Sequence, residues 1–110
     1  MARKLLTDFE LMILLAILRV DEEAYGVTIA REIEATAGRD VALGAVYTAL
    51  DRLEERKLVA SSFGDPTPSR GGRAKRYFRL TERGMQALKE TQRALVALWT
   101  NLPELKEGTA

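Results

Sequence analysis

Hydrophobic residues recur at helical spacing near the start of the chain and predict a helix over about residues 8–20. Thr7 or Asp8 can cap its free backbone N–H groups. Its apolar stripe consists of Phe9, Met12, Ile13, Ala16 and Leu18, and is widened by Leu11, Leu14 and Leu15. A helix that is apolar on so many sides must be covered twice. In a chain this short we expect the second cover to be another subunit.

The same periodicity predicts two more helices, over about residues 25–37 and 42–56. Gly38 suits a left-handed C-cap for the second helix. The third helix buries a stripe of Val46, Leu50 and Leu53, and its other faces carry Gly44, Ala45, Tyr47, Thr48, Asp51, Arg52 and Glu55. Because Gly44 and Ala45 are small, the start of this helix can approach another surface closely, and its free N–H groups favour a phosphate.

Alternating residues after the third helix predict a β-hairpin over about residues 58–80. The runs LVASSF and AKRYFRL are separated by GDPTPSRGGR, whose two Pro and three Gly exclude a helix. In the second run Lys75 and Tyr77 alternate with Arg76 and Phe78, so one face can pack while the other stays in water.

The last periodic segment predicts a helix over about residues 81–102, capped by Thr81 and ended before Pro103. Its stripe has the 3, 4, 3, 4, 3 spacing of a coiled coil and consists of Met85, Leu88, Gln92, Leu95, Trp99 and Leu102. We expect this stripe to form a homodimer interface together with Phe9 and Met12 of the first helix. The alternative is that it packs back onto the core of its own domain.

This order of elements is that of a winged helix-turn-helix, a mainly α (α+β) fold. Residues 1–80 are expected to form the DNA-binding domain, with the hairpin as its wing, and residues 81–102 a dimerisation helix packed on the same domain. The net charge of +1 hides a basic segment from Arg70 to Arg83, which has six basic residues and one acid, against a net −4 for the rest. Such a concentration of positive charge favours a nucleic-acid partner.

Several classes of chemistry are disfavoured by composition. The 110 residues include no Cys and no His, so a disulfide framework, a zinc site and the commonest general base are all missing, and no cofactor or metal is expected. The carboxylates occur as adjacent surface pairs such as Glu22 and Glu23, which is not a catalytic spacing, so an enzyme is not expected. The apolar run from Leu11 to Leu18 is too short to span a membrane, which predicts a cytoplasmic protein without a membrane partner.

Three segments in succession, YGVTIAREIE, GAVYTALDRLEERKLV and GGRAKRYFRLTERG, resemble the signatures of the PadR family of transcriptional regulators. The resemblance covers the chain from the first helix to Gly84 and implies a repressor that dimerises through its first and last helices. It also implies release from DNA by a small molecule or other signal. Because the chain continues only briefly after one C-terminal helix, it is similar to the short subfamily.

The candidate DNA-binding residues fall into two groups. On the third helix, Gly44 and Ala45 permit close approach, Thr48 and Arg52 are candidates for groove contact, and Tyr47 matches a DNA-contact tyrosine of the family. In the wing, phosphate contacts are expected from Arg70, Arg73, Lys75 and Arg76. The alternatives are packing for Tyr47, an intrahelical ion pair for Arg52, and a charged edge strand for the wing.

The predicted function is therefore a DNA-binding repressor that recognises an inverted-repeat operator in double-stranded DNA as a homodimer. A small aromatic effector at the dimer interface is also considered, with Trp99 as the wall of its site; the alternative is that Trp99 only packs in the dimer core. Two other functions remain open: a MarR-like regulator, and a winged-helix module that binds proteins.

Overall fold

In the computed structural model, which describes residues 5–64 and 74–105, four α-helices surround a small antiparallel sheet. The elements are α1 (Asp8–Val20), α2 (Gly26–Ala37), α3 (Leu43–Glu55), β1 (Val59–Phe63), β2 (Arg76–Leu80) and α4 (Glu82–Trp99). Short 3₁₀ turns follow α1 at Asp21–Glu23 and α4 at Pro103–Leu105. The predicted winged helix-turn-helix fold is confirmed.

Local signals in the sequence determine where the helices begin and end. Thr7 caps α1: its hydroxyl accepts from the Glu10 N–H, and the Glu10 carboxylate accepts from the Thr7 N–H in a capping box. Gly38 ends α2 in the left-handed conformation, with φ of 71°. The Thr81 hydroxyl accepts from the Gly84 N–H and so caps α4.

The core lies where α1, α2, α3 and the hairpin meet. Its fully buried side chains include Ile13, Leu14, Ile29, Val46, Leu50, Leu53 and Val59. α3 buries the stripe that its periodicity predicts, and Phe78 adds the buried face of β2. α1 differs from its prediction, because Ile17 is buried whereas Leu15 and Leu18 are exposed. Packing of these stripes fixes α3 against α2, which is the arrangement a helix-turn-helix requires.

Backbone hydrogen bonds join the two strands of the hairpin to each other and join β2 to the segment just before α2. β1 pairs with β2 so that Val59 lies opposite Leu80 and Phe63 lies opposite Arg76. On the other edge of β2, the Phe78 N–H donates to the Ala24 carbonyl over 2.8 Å, just before α2 begins. These hydrogen bonds hold the base of the wing next to the helix-turn-helix.

α4 packs on the domain through its first half. Leu88 and Thr91 are buried, and the Thr91 hydroxyl accepts from the Leu6 N–H over 3.2 Å. Gly84 faces the backbone of Leu58, where a Cβ atom would lie only 1.9 Å from the Leu58 carbonyl oxygen. No other residue type fits there without separating the helix from the strand.

The predicted stripe of α4 is shorter than expected and is divided between two environments. α4 ends at Trp99, and Thr100 is already extended. In a longer helix the ring of Pro103 would clash with the Trp99 carbonyl four residues earlier, and Pro103 has no N–H to donate to it. Leu102 therefore lies beyond the helix and does not continue the stripe, which corrects the prediction. Leu88 is 7% exposed and belongs to the core of its own protomer, whereas Leu95, Trp99 and Gln92 are exposed.

Candidate nucleic-acid interface

The first turns of α3 present a small, open surface. Ala42 at the N-cap makes no side-chain hydrogen bond to the helix. Gly44 and Ala45 are exposed, and a Cβ atom added to Gly44 would meet nothing within 4 Å. Neither helix propensity nor packing requires glycine at this position, since alanine would fit. The small side chains and the empty space around Gly44 leave the backbone of α3 accessible to a large partner such as a duplex.

Thr48 and Arg52 project from the same exposed side of α3. The Thr48 hydroxyl donates to the Gly44 carbonyl oxygen over 3.0 Å, which leaves its lone pairs and methyl group toward solvent. Arg52 is exposed and forms no ion pair with any residue in the described part of the chain, so the intrahelical pairing considered for it is not seen. Asp51, its acidic neighbour, is bound to Arg76 instead.

Tyr47 combines packing with exposure. Its ring lies against Gly26 at the start of α2, where an added Cβ would be 2.4 Å from Tyr47 Cζ and 2.5 Å from its hydroxyl oxygen. The side chain is nevertheless 36% exposed. Packing on Gly26 thus fixes the direction of the ring, while the residue stays partly accessible to solvent. The sequence patterns do not predict the role of Gly26. Its one local signal is the Tyr25-Gly26 pair at the start of α2.

Lys75 is positioned by aromatic rings near the base of the wing. Its ammonium group lies 3.8 Å from the centroid of the Tyr25 ring, and Tyr25 makes an edge-to-face contact with Tyr77 at 5.6 Å. Neither contact neutralises the charge, because an aromatic face orients a cation without adding an opposite charge. Lys75 is therefore a basic group that remains available to a phosphate.

Arg76 occupies a different environment from the one predicted. Its guanidinium group binds Asp51 over 3.1 Å and also binds Glu54, and it lies above the Phe78 ring at 4.8 Å. The alternation of β2 explains this, since Arg76 shares the packed face with Phe78. The expected phosphate contact is thus replaced by an intramolecular bridge from the wing to α3. Arg70 and Arg73 lie outside the described residues.

Glu54 completes this bridge, which we call the wing clamp and define as Asp51, Glu54, Ser61 and Arg76. The Ser61 hydroxyl donates to Glu54 over 2.6 Å and lowers the pKa of its carboxyl group below the usual value. Partial burial raises that pKa and the positive charge of Arg76 lowers it, so the net shift is downward. The clamp joins both strands of the wing to α3, and its one guanidinium offsets one of the two acidic charges beside the candidate DNA-binding surface.

A second surface, the α1/α4 groove, is apolar. The groove has a volume of about 460 Å³ and is lined by Leu11, Leu15, Leu18, Met85, Leu88, Lys89, Gln92, Leu95, Val96 and Trp99. It therefore brings together five of the predicted interface residues of α4 with leucines of α1. The sequence places Leu15 and Leu18 on the wide apolar stripe of α1 but does not predict that they belong to the interface.

Phe9 and Met12, the predicted interface residues of α1, lie outside the α1/α4 groove. Both are partly buried against the core. The guanidinium group of Arg39 lies 5.1 Å from the Phe9 ring centroid, and its Nη1 atom is 3.8 Å from Met12 Sδ. Met12 also lines a smaller groove between α1 and α2. The α1/α4 groove is thus lined by Leu11, Leu15 and Leu18 from a different face of α1, and not by Phe9 and Met12.

Within residues 5–64 and 74–105, no group of three or more metal-ligating side chains comes together. No helix in that part of the chain is long and apolar enough to cross a bilayer.

Comparison with known proteins is consistent with this geometry. Residues 14–90 match the model of the transcriptional regulator PadR-like family, which includes α2, α3, the wing and the docked half of α4. The chain belongs to the PadR family. A sequence comparison with curated proteins gave no match.

Solved structures of PadR proteins share the fold. A PadR-like transcription factor from Bacteroides fragilis is 28% identical with a TM-score of 0.69, and the match covers 82% of each chain. A PadR family regulator from Eggerthella lenta is 25% identical with a TM-score of 0.67, covering 87% of this chain and 81% of that one. A PadR-like regulator from Bacillus cereus, at 24% identity and a TM-score of 0.71 over 91% and 92% of the two chains, supports the fold alone.

This PadR protein is accordingly a DNA-binding transcriptional regulator and not an enzyme. The family match decides against a MarR-like regulator. It also decides against a module that keeps the winged fold only to bind proteins.

Proposed function

We propose that this PadR protein is a homodimeric repressor that binds an inverted-repeat operator, with α3 in the major groove and the wing on the phosphates. The observation that carries the proposal is the juxtaposition of the open start of α3 with Tyr47, Arg52 and Lys75. A small-faced helix end, a positioned tyrosine, and cations that have no acidic partner among the described residues suit a duplex, which requires close approach and charge neutralisation.

The α1/α4 groove supports the dimer. Leu15, Leu95, Val96 and Trp99 are exposed there, with Trp99 62% exposed. A contiguous apolar surface of this kind is costly in water and marks an interface. A second copy carries the same leucines and the same half of α4, so a two-fold arrangement would cover both grooves at once.

Repression follows from occupancy. A dimer bound across two half-sites covers about two turns of DNA and excludes other proteins from that segment. An aromatic effector in the dimer would be able to relieve this, because the α1/α4 groove falls in the volume range of small-molecule sites and contains Trp99 as an aromatic wall. Such a ligand would act by favouring a dimer geometry that does not match the operator.

The test begins with selection of bound duplexes from a random library, followed by binding measured by fluorescence anisotropy over a salt series. We expect an inverted repeat with half-sites about 34 Å apart, and log K falling linearly with log salt. Inserting about half a helical turn between the half-sites should abolish the tight binding, because the two half-sites then face opposite sides of the duplex. A wild-type protein with no salt-dependent affinity for any duplex would contradict the proposal.

Two variants assign the roles of the elements in the same assay. Lys75→Ala should weaken selected and random duplexes about equally and lower the salt slope by about 0.9 per lost contact and subunit. Arg52→Ala should reduce the preference for the selected sequence, by about 1–3 kcal/mol if Arg52 makes a bidentate base contact. The reverse pattern would exchange the two roles while leaving DNA binding intact.

A further inference from the structure

Phe63 is an exposed aromatic residue that the fold does not explain. It is the last residue of β1, and its side chain is 70% exposed, whereas Phe78 is buried and Phe9 is partly buried. It does not line the α1/α4 groove. Exposing a phenyl ring to water costs free energy, and the ring adds nothing to the core in return.

The register of the hairpin determines which way Phe63 points. Phe63 lies opposite Arg76, and residues directly opposite each other in an antiparallel pair project to the same face. Arg76 reaches Asp51 on α3 over 3.1 Å, and Ser61, two residues before Phe63, reaches Glu54. The face that carries Phe63 is therefore the one that packs against α3.

Phe63 stands one step beyond the last packed position on that face. Val59 is buried, Ser61 is half-buried in the wing clamp, and Phe63 is exposed. The adjoining side of α3 carries Thr48 and Arg52, both exposed, and the clamp residue Asp51 lies between them in sequence. Phe63 thus lies at the junction between α3 and the wing, which are the two elements proposed to contact DNA.

We propose that Phe63 is an apolar DNA contact, resting on the thymine methyl group or on the deoxyribose next to the bases read by α3. The inference rests on the proposed function. A duplex offers two apolar groups to such a ring, the C5-methyl of thymine and the faces of the sugars, and phenylalanine can pack on either. It has no polar atom with which to bind a phosphate oxygen or a polar base edge. Its place between α3 and the wing favours a duplex over an apolar protein partner, because the proposed function has both elements contact DNA.

The first measurement is the affinity of F63A for the selected operator across the salt series, with S62A as the matched control. Ser62 is the exposed neighbour of Phe63 on the same strand and lies on the opposite face. F63A should bind about tenfold more weakly, which corresponds to about 1.4 kcal/mol. Its salt slope should equal that of the wild type, because no phosphate contact is lost. S62A should bind like the wild type.

Replacing single thymines of the operator by uracil distinguishes the two apolar groups. If Phe63 contacts a thymine methyl, one substitution should weaken the wild type and leave F63A unaffected. If it contacts a deoxyribose, no uracil substitution should do so, and the loss in F63A should persist. The two patterns place the same contact on different parts of the nucleotide.

A second variant reports the contact directly. F63W adds a second tryptophan to the chain, in addition to Trp99. Titration with operator should quench the emission of F63W by more than it quenches that of the wild type.

Unchanged affinity in F63A would overturn the inference while the proposed function stood, and so would a loss that appears only as a reduced salt slope. An F63W protein that binds normally with the wild-type emission change would also overturn it. A wild-type protein that binds no duplex would overturn both proposals.

Discussion

At the scale of the residue, two glycines on helices have opposite surroundings. A Cβ at Gly44 would meet open space, whereas one at Gly84 would overlap the Leu58 carbonyl oxygen at 1.9 Å. We expect Gly44→Ala to raise the free energy of unfolding by up to about 1 kcal/mol, because alanine is the better helix former, and to weaken DNA binding by holding the backbone away. Gly84→Ala should lower the free energy of unfolding by about 1–3 kcal/mol through overpacking.

Urea unfolding at one fixed protein concentration, together with operator binding, checks both substitutions. The two variants are matched, since each adds one methyl group to a helical glycine. Normal operator affinity in Gly44→Ala would show that α3 does not approach the duplex at this residue. An unchanged stability in Gly84→Ala would mean that α4 can move away from β1 without loss.

At the scale of the element, the wing is held to α3 by the wing clamp. Because the folded-state pKa of Glu54 is lowered, its interactions stabilise the protein fully above the unfolded-state pKa and are lost as pH falls through the folded-state pKa. We expect acid titration through about pH 5 to 3 to destabilise the wild type more than Glu54→Gln. The difference should stay below about 1 kcal/mol, because the pair is partly exposed.

Thermal unfolding over this pH range measures the effect, with Glu55→Gln as the control. Glu55 is the exposed neighbour of Glu54 and forms no ion pair with a residue that the structure describes. Arg76→Ala adds a functional readout: we expect weaker operator binding with an unchanged salt slope, since Arg76 acts by orienting the wing. A slope reduced by about 0.9 per subunit would restore the phosphate contact that the sequence predicted.

At the scale of the whole molecule, the α1/α4 groove predicts the oligomeric state. Leu95→Asp places a charge in the groove that would need costly desolvation in a dimer. We expect light scattering at micromolar concentration to give about twice the 12.3 kDa chain mass for the wild type and the chain mass itself for this variant. Leu43→Asp is the control, because Leu43 is 41% exposed against 38% for Leu95 and lies at the start of α3. A wild-type monomer would refute the dimer.

The same groove predicts a response to ligands. Trp99 is the single tryptophan, so its fluorescence reports directly on the groove. Planar aromatic compounds should quench it saturably and, by reciprocal linkage, lower the affinity for the operator. Saturable quenching that leaves DNA affinity unchanged would argue against an effector role, and the absence of quenching would argue against the site.

Features that depend on local spacing follow from the amino-acid sequence alone. The stripe of Val46, Leu50 and Leu53, the cap at Thr81 and the left-handed Gly38 follow from helical periodicity and backbone chemistry, which act within a few residues. The order of elements then indicated the winged helix-turn-helix fold, and the basic segment indicated its partner.

Contacts between distant residues depend on how the elements pack and cannot be read from local spacing. The 3, 4, 3 repeat of α4 shows that Leu88 and Trp99 are apolar positions, yet Leu88 is buried in its own protomer and Trp99 is exposed, because the domain covers only the first half of the helix. In the same way, positive charge alone could not separate Lys75 from Arg76. The strand alternation turns Arg76 toward the acids of α3, whereas the ammonium of Lys75 rests on a neutral aromatic face and keeps its charge available. The sequence pattern shows which positions are apolar or charged, and the tertiary fold determines which group each side chain contacts.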